Sequence, residues 1–171
     1  MRKTILALLL LVGITSPLQA QSELSVYTGI VTTDDKQVVI GSSLAIPVLG
    51  SLLYVVPDAA FQYMNSDVQN VTTNMMAQVR VRPTETVAVY VGAGVAAMHT
   101  FFAYDLDECE QCSLLKRNTN SGWVAEYGFI LSRPGNNMAF RVGHNMILDR
   151  FDWFKDNVVQ HRFTVGLDWT L

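Results

Sequence analysis

Apolar and polar residues alternate one by one along much of this chain. In its last stretch Phe163, Val165, Leu167 and Trp169 alternate with Arg162, Thr164, Gly166 and Asp168. A period of two residues belongs to β-strands, whose successive side chains point to opposite faces. The pattern predicts eight strands, over residues 24–32, 37–46, 52–64, 71–82, 86–98, 123–132, 138–146 and 160–170. Most come close to the ~9–11 residues that a tilted strand needs to cross a bilayer. Strands of soluble proteins more often run ~5–6 residues.

The predicted connections are unequal. Residues 47–50, 83–85 and 133–136 form tight links, the last holding Pro134-Gly135. Pro presets φ there and Gly accepts a positive φ. The other links cover 33–36, 65–70, 99–122 and 147–159. Short turns on one side and longer loops on the other suit a bacterial transmembrane barrel with both termini on the periplasmic side.

Alternation alone does not say which face is outside; the content of the two sets does. One set is aliphatic and aromatic, as in Val87, Val89, Val91, Ala93 and Val95. The other mixes charges with glycines, among them Gly41, Gly92, Gly94, Gly128, Gly143 and Gly166. Inside a narrow eight-stranded barrel, small residues leave room for long polar neighbours. An Arg or Lys facing mid-bilayer lipid would cost ~2–4 kcal/mol, and the apolar set contains none. The polar set is therefore placed inside. Its charges are Asp58, Arg80, Arg82, Glu126, Arg141, Arg162 and Asp168. Buried charges need partners, so a salt-bridged lumen plug is expected, with a gated ion path as the alternative. With Ser132 set opposite Asn137, Glu126 falls diagonally from Arg141. Tyr63, Trp123, Phe163 and Trp169 lie near ends of predicted strands in the outward set and read as girdle residues at the lipid headgroups.

Composition adds an export route. Arg2 and Lys3 precede an apolar run, Ile5 to Val12, and a small residue, Ala20, stands before Gln21. This reads as a cleavable signal peptide over residues 1–20, leaving one domain over 21–171. Its loss of two cations moves the formal charge from −3 to −5, which does not favour a nucleic-acid partner. Half the residues are apolar, yet the richest later run, Leu44 to Val56, is broken by Pro47 and Gly50. Without a second apolar helix, the choice is a large soluble core or a closed barrel in lipid.

The segment from Thr86 to Ala96, TVAVYVGAGVA, resembles the glycine-punctuated central strand of small outer-membrane barrels of the OmpA/OmpX and opacity-protein kind. Residues 123–143 are similar to their last-but-one hairpin. Residues 161–171 resemble the closing strand read by the barrel-insertion machinery, with Leu171 where relatives usually end in Phe or Trp. The resemblance implies a monomeric, all-β, eight-stranded antiparallel up-and-down barrel in the bacterial outer membrane. Its implied surroundings are outer-membrane lipid and lipopolysaccharide, and its implied roles run from adhesion to envelope stability.

Candidate chemistry is sparse. Cys109 and Cys112 sit in an acidic stretch with Asp105, Asp107, Glu108 and Glu110. In an oxidising compartment they read as a local disulfide. Neighbouring acids oppose the lowered thiol pKa of a redox pair, and two thiolates fall short of the four committed ligands of a zinc site. Some barrels of this size are lipid A deacylases, with a His and a Ser close on one strand. Here Gly143-His144-Asn145-Met146 has no such serine, and outward-facing His144 reads as a girdle residue. No nucleotide, phosphate or strong metal motif is present, so no cofactor and no catalysis are expected. The expected function is structural or interactive, with loops 103–121 and 148–157 exposed. Phe151, Trp153 and Phe154 offer a contact surface for an extracellular partner. A lipid A deacylase-like enzyme and a soluble periplasmic ligand-binding barrel are the alternatives.

Overall fold

The computed structural model describes residues 21–32, 36–63, 68–102, 119–148 and 159–171. It contains eight strands: β1 (Glu23–Thr32), β2 (Lys36–Leu49), β3 (Leu53–Tyr63), β4 (Val68–Val81), β5 (Val87–Phe102), β6 (Thr119–Ser132), β7 (Met138–Leu148) and β8 (Val159–Thr170). Each pairs antiparallel with its neighbours in the chain, and β1 pairs with β8 to close the barrel. The seam runs from Glu23 opposite Thr170 to Thr32 opposite His161. Closure removes both sheet edges, so backbone amides at the seam meet carbonyls rather than lipid. No helix among the described residues is long and apolar enough to cross a membrane; here strands do the crossing.

Faces follow the expected sorting. Val79, Val89, Phe129 and Val165 are exposed on the outside, whereas Arg80, Arg141 and Arg162 retain 2 %, 5 % and 1 % of their surface. The side chains open to the surroundings are aliphatic and aromatic, from Val26 and Ile40 to Val91 and Leu167. Water would penalise such a continuous apolar wall; hydrocarbon does not. The chain thus folds as a transmembrane barrel, and a soluble barrel with an apolar interior has its faces reversed.

The strands outrun their predicted ends on the side of the long loops. β5 continues to Phe102 and β6 begins at Thr119, with His99 opposite Thr119. The lipid-matching pattern stops near Met98 and Trp123, but the ladder does not, because polar side chains beyond the hydrocarbon still allow backbone pairing. At the opposite end, that of the tight turns, β2 runs through Pro47 to Leu49, with a register shift between those residues. Pairing of β2 with β1 ends at Ala45 opposite Glu23. Pro47 therefore stands where a missing N–H breaks no ladder to β1. At the β6–β7 turn, Asn136 donates its N–H to the Arg133 carbonyl at 3.1 Å. Gly135 has φ 79°, as the third position of a type II turn requires.

Among the described residues Tyr27, Tyr54 and Tyr90 are buried in the bore, and glycines make space for Tyr27 and Tyr90. A Cβ added at Gly41 would come within 2.4 Å of the Tyr27 ring, and one at Gly143 within 2.4 Å of the Tyr90 hydroxyl. At Gly128 it would meet both the Val142 carbonyl, at 2.2 Å, and Tyr90, at 2.6 Å. Gly41, Gly128 and Gly143 therefore work as notches for rings from other strands. Gly41→Ala is expected to displace Tyr27 and to cost about 1–3 kcal/mol, the range of overpacked cores. Urea unfolding of the barrel in phospholipid vesicles checks this, read from the shift in midpoint.

Candidate functional site: a charged lumen and an outer histidine pair

Inward positions mix polar side chains with an apolar cluster that includes Tyr54, Val56, Met76, Val124 and Ile147, and most of the charges lie within reach of a named partner. At the end bearing the termini, Glu23 begins β1 and Arg80 nearly ends β4. Arg80 Nη1 donates to Glu23 Oε2 at 2.5 Å, and Arg80 Nε to Gln78 Oε1 at 2.5 Å. The Arg80 guanidinium lies 4.1 Å from the centroid of the buried Tyr54 ring. Gln78 donates in turn to Glu126 Oε1 at 2.5 Å. Arg141 of β7 grips Asp168 of β8 through Nε, which donates to both carboxylate oxygens at 3.0 and 2.9 Å, while Nη2 lies 2.9 Å from Oδ2 without a hydrogen bond. A charge-assisted contact of this kind is stronger than a neutral one. The Tyr90 ring lies 5.0 Å from the Arg141 guanidinium.

Further along the bore, Asp58 of β3 accepts from the Tyr27 hydroxyl at 2.5 Å and from Asn74 Nδ2 at 2.7 Å. Arg162 of β8 reaches across to Thr72 of β4, its Nη2 donating to Oγ1 at 2.5 Å. Gln62 donates to Gln37. Among the described residues the ion pairs are Arg80–Glu23, Arg82–Glu23 and Arg141–Asp168.

The expected charges thus gather inside, with three differences. Arg82 lies one residue past β4, its side chain is 46 % exposed, and it approaches Glu23 only to 3.8 Å. It belongs to the rim, because the strand ends at Val81. Glu126 does not fall diagonally from Arg141. Ser132 pairs with Ala139 rather than Asn137, a two-residue slip that sets Glu126 opposite Asn145. The cause is that Asn137 joins β8 instead, its carbonyl accepting the Thr170 N–H at 2.9 Å. Even slips keep every side chain on its face, so the polar set stays inside while its partners change. Glu23 was missed, although it continues the inward rhythm of Ser25 and Tyr27 two residues earlier.

The four outward aromatics keep their face but not a common height. Trp169, opposite Leu24 and Met138, lies at the end of the termini, and Tyr63 closes β3 at the other end. Trp123 and Phe163 lie inside their strands, since β6 and β8 start at Thr119 and Val159. Cys109, Cys112, Phe151, Trp153 and Phe154, with most of both long loops, lie outside the described residues.

Among the described residues, the outer wall of β6, β7 and β8 carries a cluster of rings that includes two imidazoles. Tyr127, His144 and Phe163 stand side by side on β6, β7 and β8. The His144 ring meets Tyr127 edge-on at 5.0 Å and stacks on Phe163 at 4.5 Å. Its Nε2 lies 3.2 Å from Nδ1 of His161. The hydrogen-bond partner of His144 is therefore a second imidazole, where a Ser-His dyad needs a hydroxyl.

Solved structures of similar shape come from bacterial surfaces. The N-terminal β-barrel domain of Pseudomonas aeruginosa OprF matches with TM-score 0.64 at 12 % identity, over 90 % of this chain and 98 % of that one. Neisserial surface protein A matches with TM-score 0.65 at 11 % identity, over 88 % and 96 %. The fold is that of the small outer-membrane β-barrels. Ail, the attachment invasion locus protein of Yersinia pestis, has the same fold, with TM-score 0.59 at 14 % identity, over 90 % of this chain and all of that one. No protein-family model matches the sequence, and no curated protein is similar to it in sequence. The likeness is one of architecture, carried by strand count, closure and face sorting rather than by shared residues.

Arg141→Ala would leave the Asp168 carboxylate, 2 % exposed, without its cation. The expected loss is about 3–5 kcal/mol, as for other broken buried pairs. Replacing both partners by apolar residues, Arg141→Met with Asp168→Leu, is expected to recover most of it. Urea titrations of the three variants in vesicles measure both effects.

Proposed function

We infer that this protein is a monomeric outer-membrane barrel whose work is structural and interactive: a closed scaffold that holds surface loops outside the cell. The observation that carries this reading is the filling of the barrel: large apolar side chains cover the outside, while inside it buried charges and amides bond one another beside an apolar cluster with Tyr54, Val56, Val124 and Ile147. A water-filled channel would instead keep its charges hydrated. Residues 1–20 serve as the export leader, and the closing strand addresses the chain to the insertion machinery. Lipopolysaccharide and outer-membrane lipid surround the wall.

The contacts are made by loops 103–121 and 148–157, the links at the end away from the termini. Ail, of the same fold, has been solved with the heparin analogue sucrose octasulfate, which supports surface recognition as a use of this architecture. In this chain Phe151, Trp153 and Phe154 supply the apolar contacts, and the Cys109–Cys112 bridge stiffens the other loop. Catalysis is not part of this reading, because His144 is engaged by His161 rather than by a serine.

Reconstituted in planar bilayers, the protein is expected to give no steady unitary conductance. Persistent ion-selective channels would overturn the closed lumen. Thiol labelling of the denatured protein, taken from outer membranes without reductant, is expected to find neither cysteine free.

A further inference from the structure

The histidine pair on the outer wall has no place in the scaffold role. Lipid-facing positions of the barrel are otherwise aliphatic or aromatic on β7 and β8, and two imidazoles there need a reason. Three observations bear on what they do.

The first is spacing. His144 Nε2 and His161 Nδ1 are 3.2 Å apart. Two imidazole nitrogens bound to one transition-metal ion at ~2.0–2.1 Å subtend roughly 100° at that separation, which suits adjacent ligands in tetrahedral or square geometry. The second is restraint. His144 is clamped between Tyr127 and Phe163, and its Nδ1 is buried without a hydrogen bond. Only Nε2 is free to ligate, and it faces His161. The third is the neighbour. Met146 stands directly opposite His161 in the β7–β8 register, two residues from His144 on the same face, which brings a soft thioether to the group.

Depth also fits. His161 lies eight residues above Trp169 on β8. At ~3.4 Å per residue and a tilt of ~40°, that is about 20 Å, near the outer boundary of a ~25 Å apolar band. An ion held there has its remaining coordination positions at headgroup level, open to water or a lipid phosphate oxygen.

We propose that His144 and His161 form an outer-wall binding site for a divalent transition-metal ion, with Cu²⁺ held most tightly. Imidazole ligands select such ions over Mg²⁺ and Ca²⁺, and among first-row divalent ions affinity peaks at Cu²⁺. The metal replaces the proton shared between the two rings. Affinity is modest, because among the described residues no carboxylate or carbonyl is hydrogen-bonded to either imidazole to raise its basicity.

The test uses the full mature barrel in phosphatidylcholine vesicles, with folding verified by heat-modifiable gel migration. Cu²⁺ is titrated calorimetrically and the bound ion is examined by electron paramagnetic resonance. One Cu²⁺ per barrel is expected, with hyperfine coupling to two imidazole nitrogens and no competition from Mg²⁺. His144→Asn and His161→Asn should each weaken binding roughly tenfold or more, as loss of one of two ligands requires. Cys109→Ser with Cys112→Ser should leave binding unchanged. The proposal is overturned if the double histidine variant binds Cu²⁺ as the parent does, or if loss of the cysteines alone removes the ion. Should a histidine variant not fold, the parent spectrum still decides, since coupling to fewer than two nitrogens contradicts the site.

Discussion

Hydrocarbon offers no hydrogen bonds, and this one fact shapes the molecule. Every amide at membrane depth has to find its carbonyl in an adjacent strand, so the sheet must close. In this chain closure is made by β1 and β8, paired without a break from Glu23–Thr170 to Thr32–His161. Once the sheet is closed, eight strands leave a bore just wide enough for side chains. The inward residues must then satisfy each other. That is why Arg141 meets Asp168, Asp58 meets Tyr27 and Asn74, and Arg80 meets Glu23.

Such buried pairs add little net stability relative to a well-packed apolar filling. Their value here is compatibility with lipid: reversing the faces would put three arginines into hydrocarbon. The packing of the bore depends on pairs of unequal size. Tyr27 and Tyr90 fit only because Gly41, Gly128 and Gly143 stand opposite them without a side chain. The polar set therefore carries glycine and tyrosine together.

Much of the architecture was legible in the alternation. The count of eight, the direction of each face and the Pro134-Gly135 turn all follow from local rules of period and turn chemistry. Details that depend on more than one strand were harder to read. The β6–β7 register slipped by two because Asn137 is recruited by Thr170 of β8, a contact that no reading of the hairpin alone contains. β5 and β6 ran past Met98 and Trp123 because pairing outlasts the lipid-matching pattern. Cross-bore contacts such as Arg162–Thr72 have a sequence separation of 90 residues and leave no local trace. The pairing of His144 with His161 needed the β7–β8 register, which depends on the length of the long link between them.

The inward contacts have a mechanical side. Arg162–Thr72 joins β8 to β4, on opposite walls of the cylinder, and Glu23–Arg80 joins β1 to the same β4. Spokes of this kind resist flattening of the circular section into an ellipse under lateral pressure. A stiffened cylinder keeps the strand ends that lead into its longer links at constant separations.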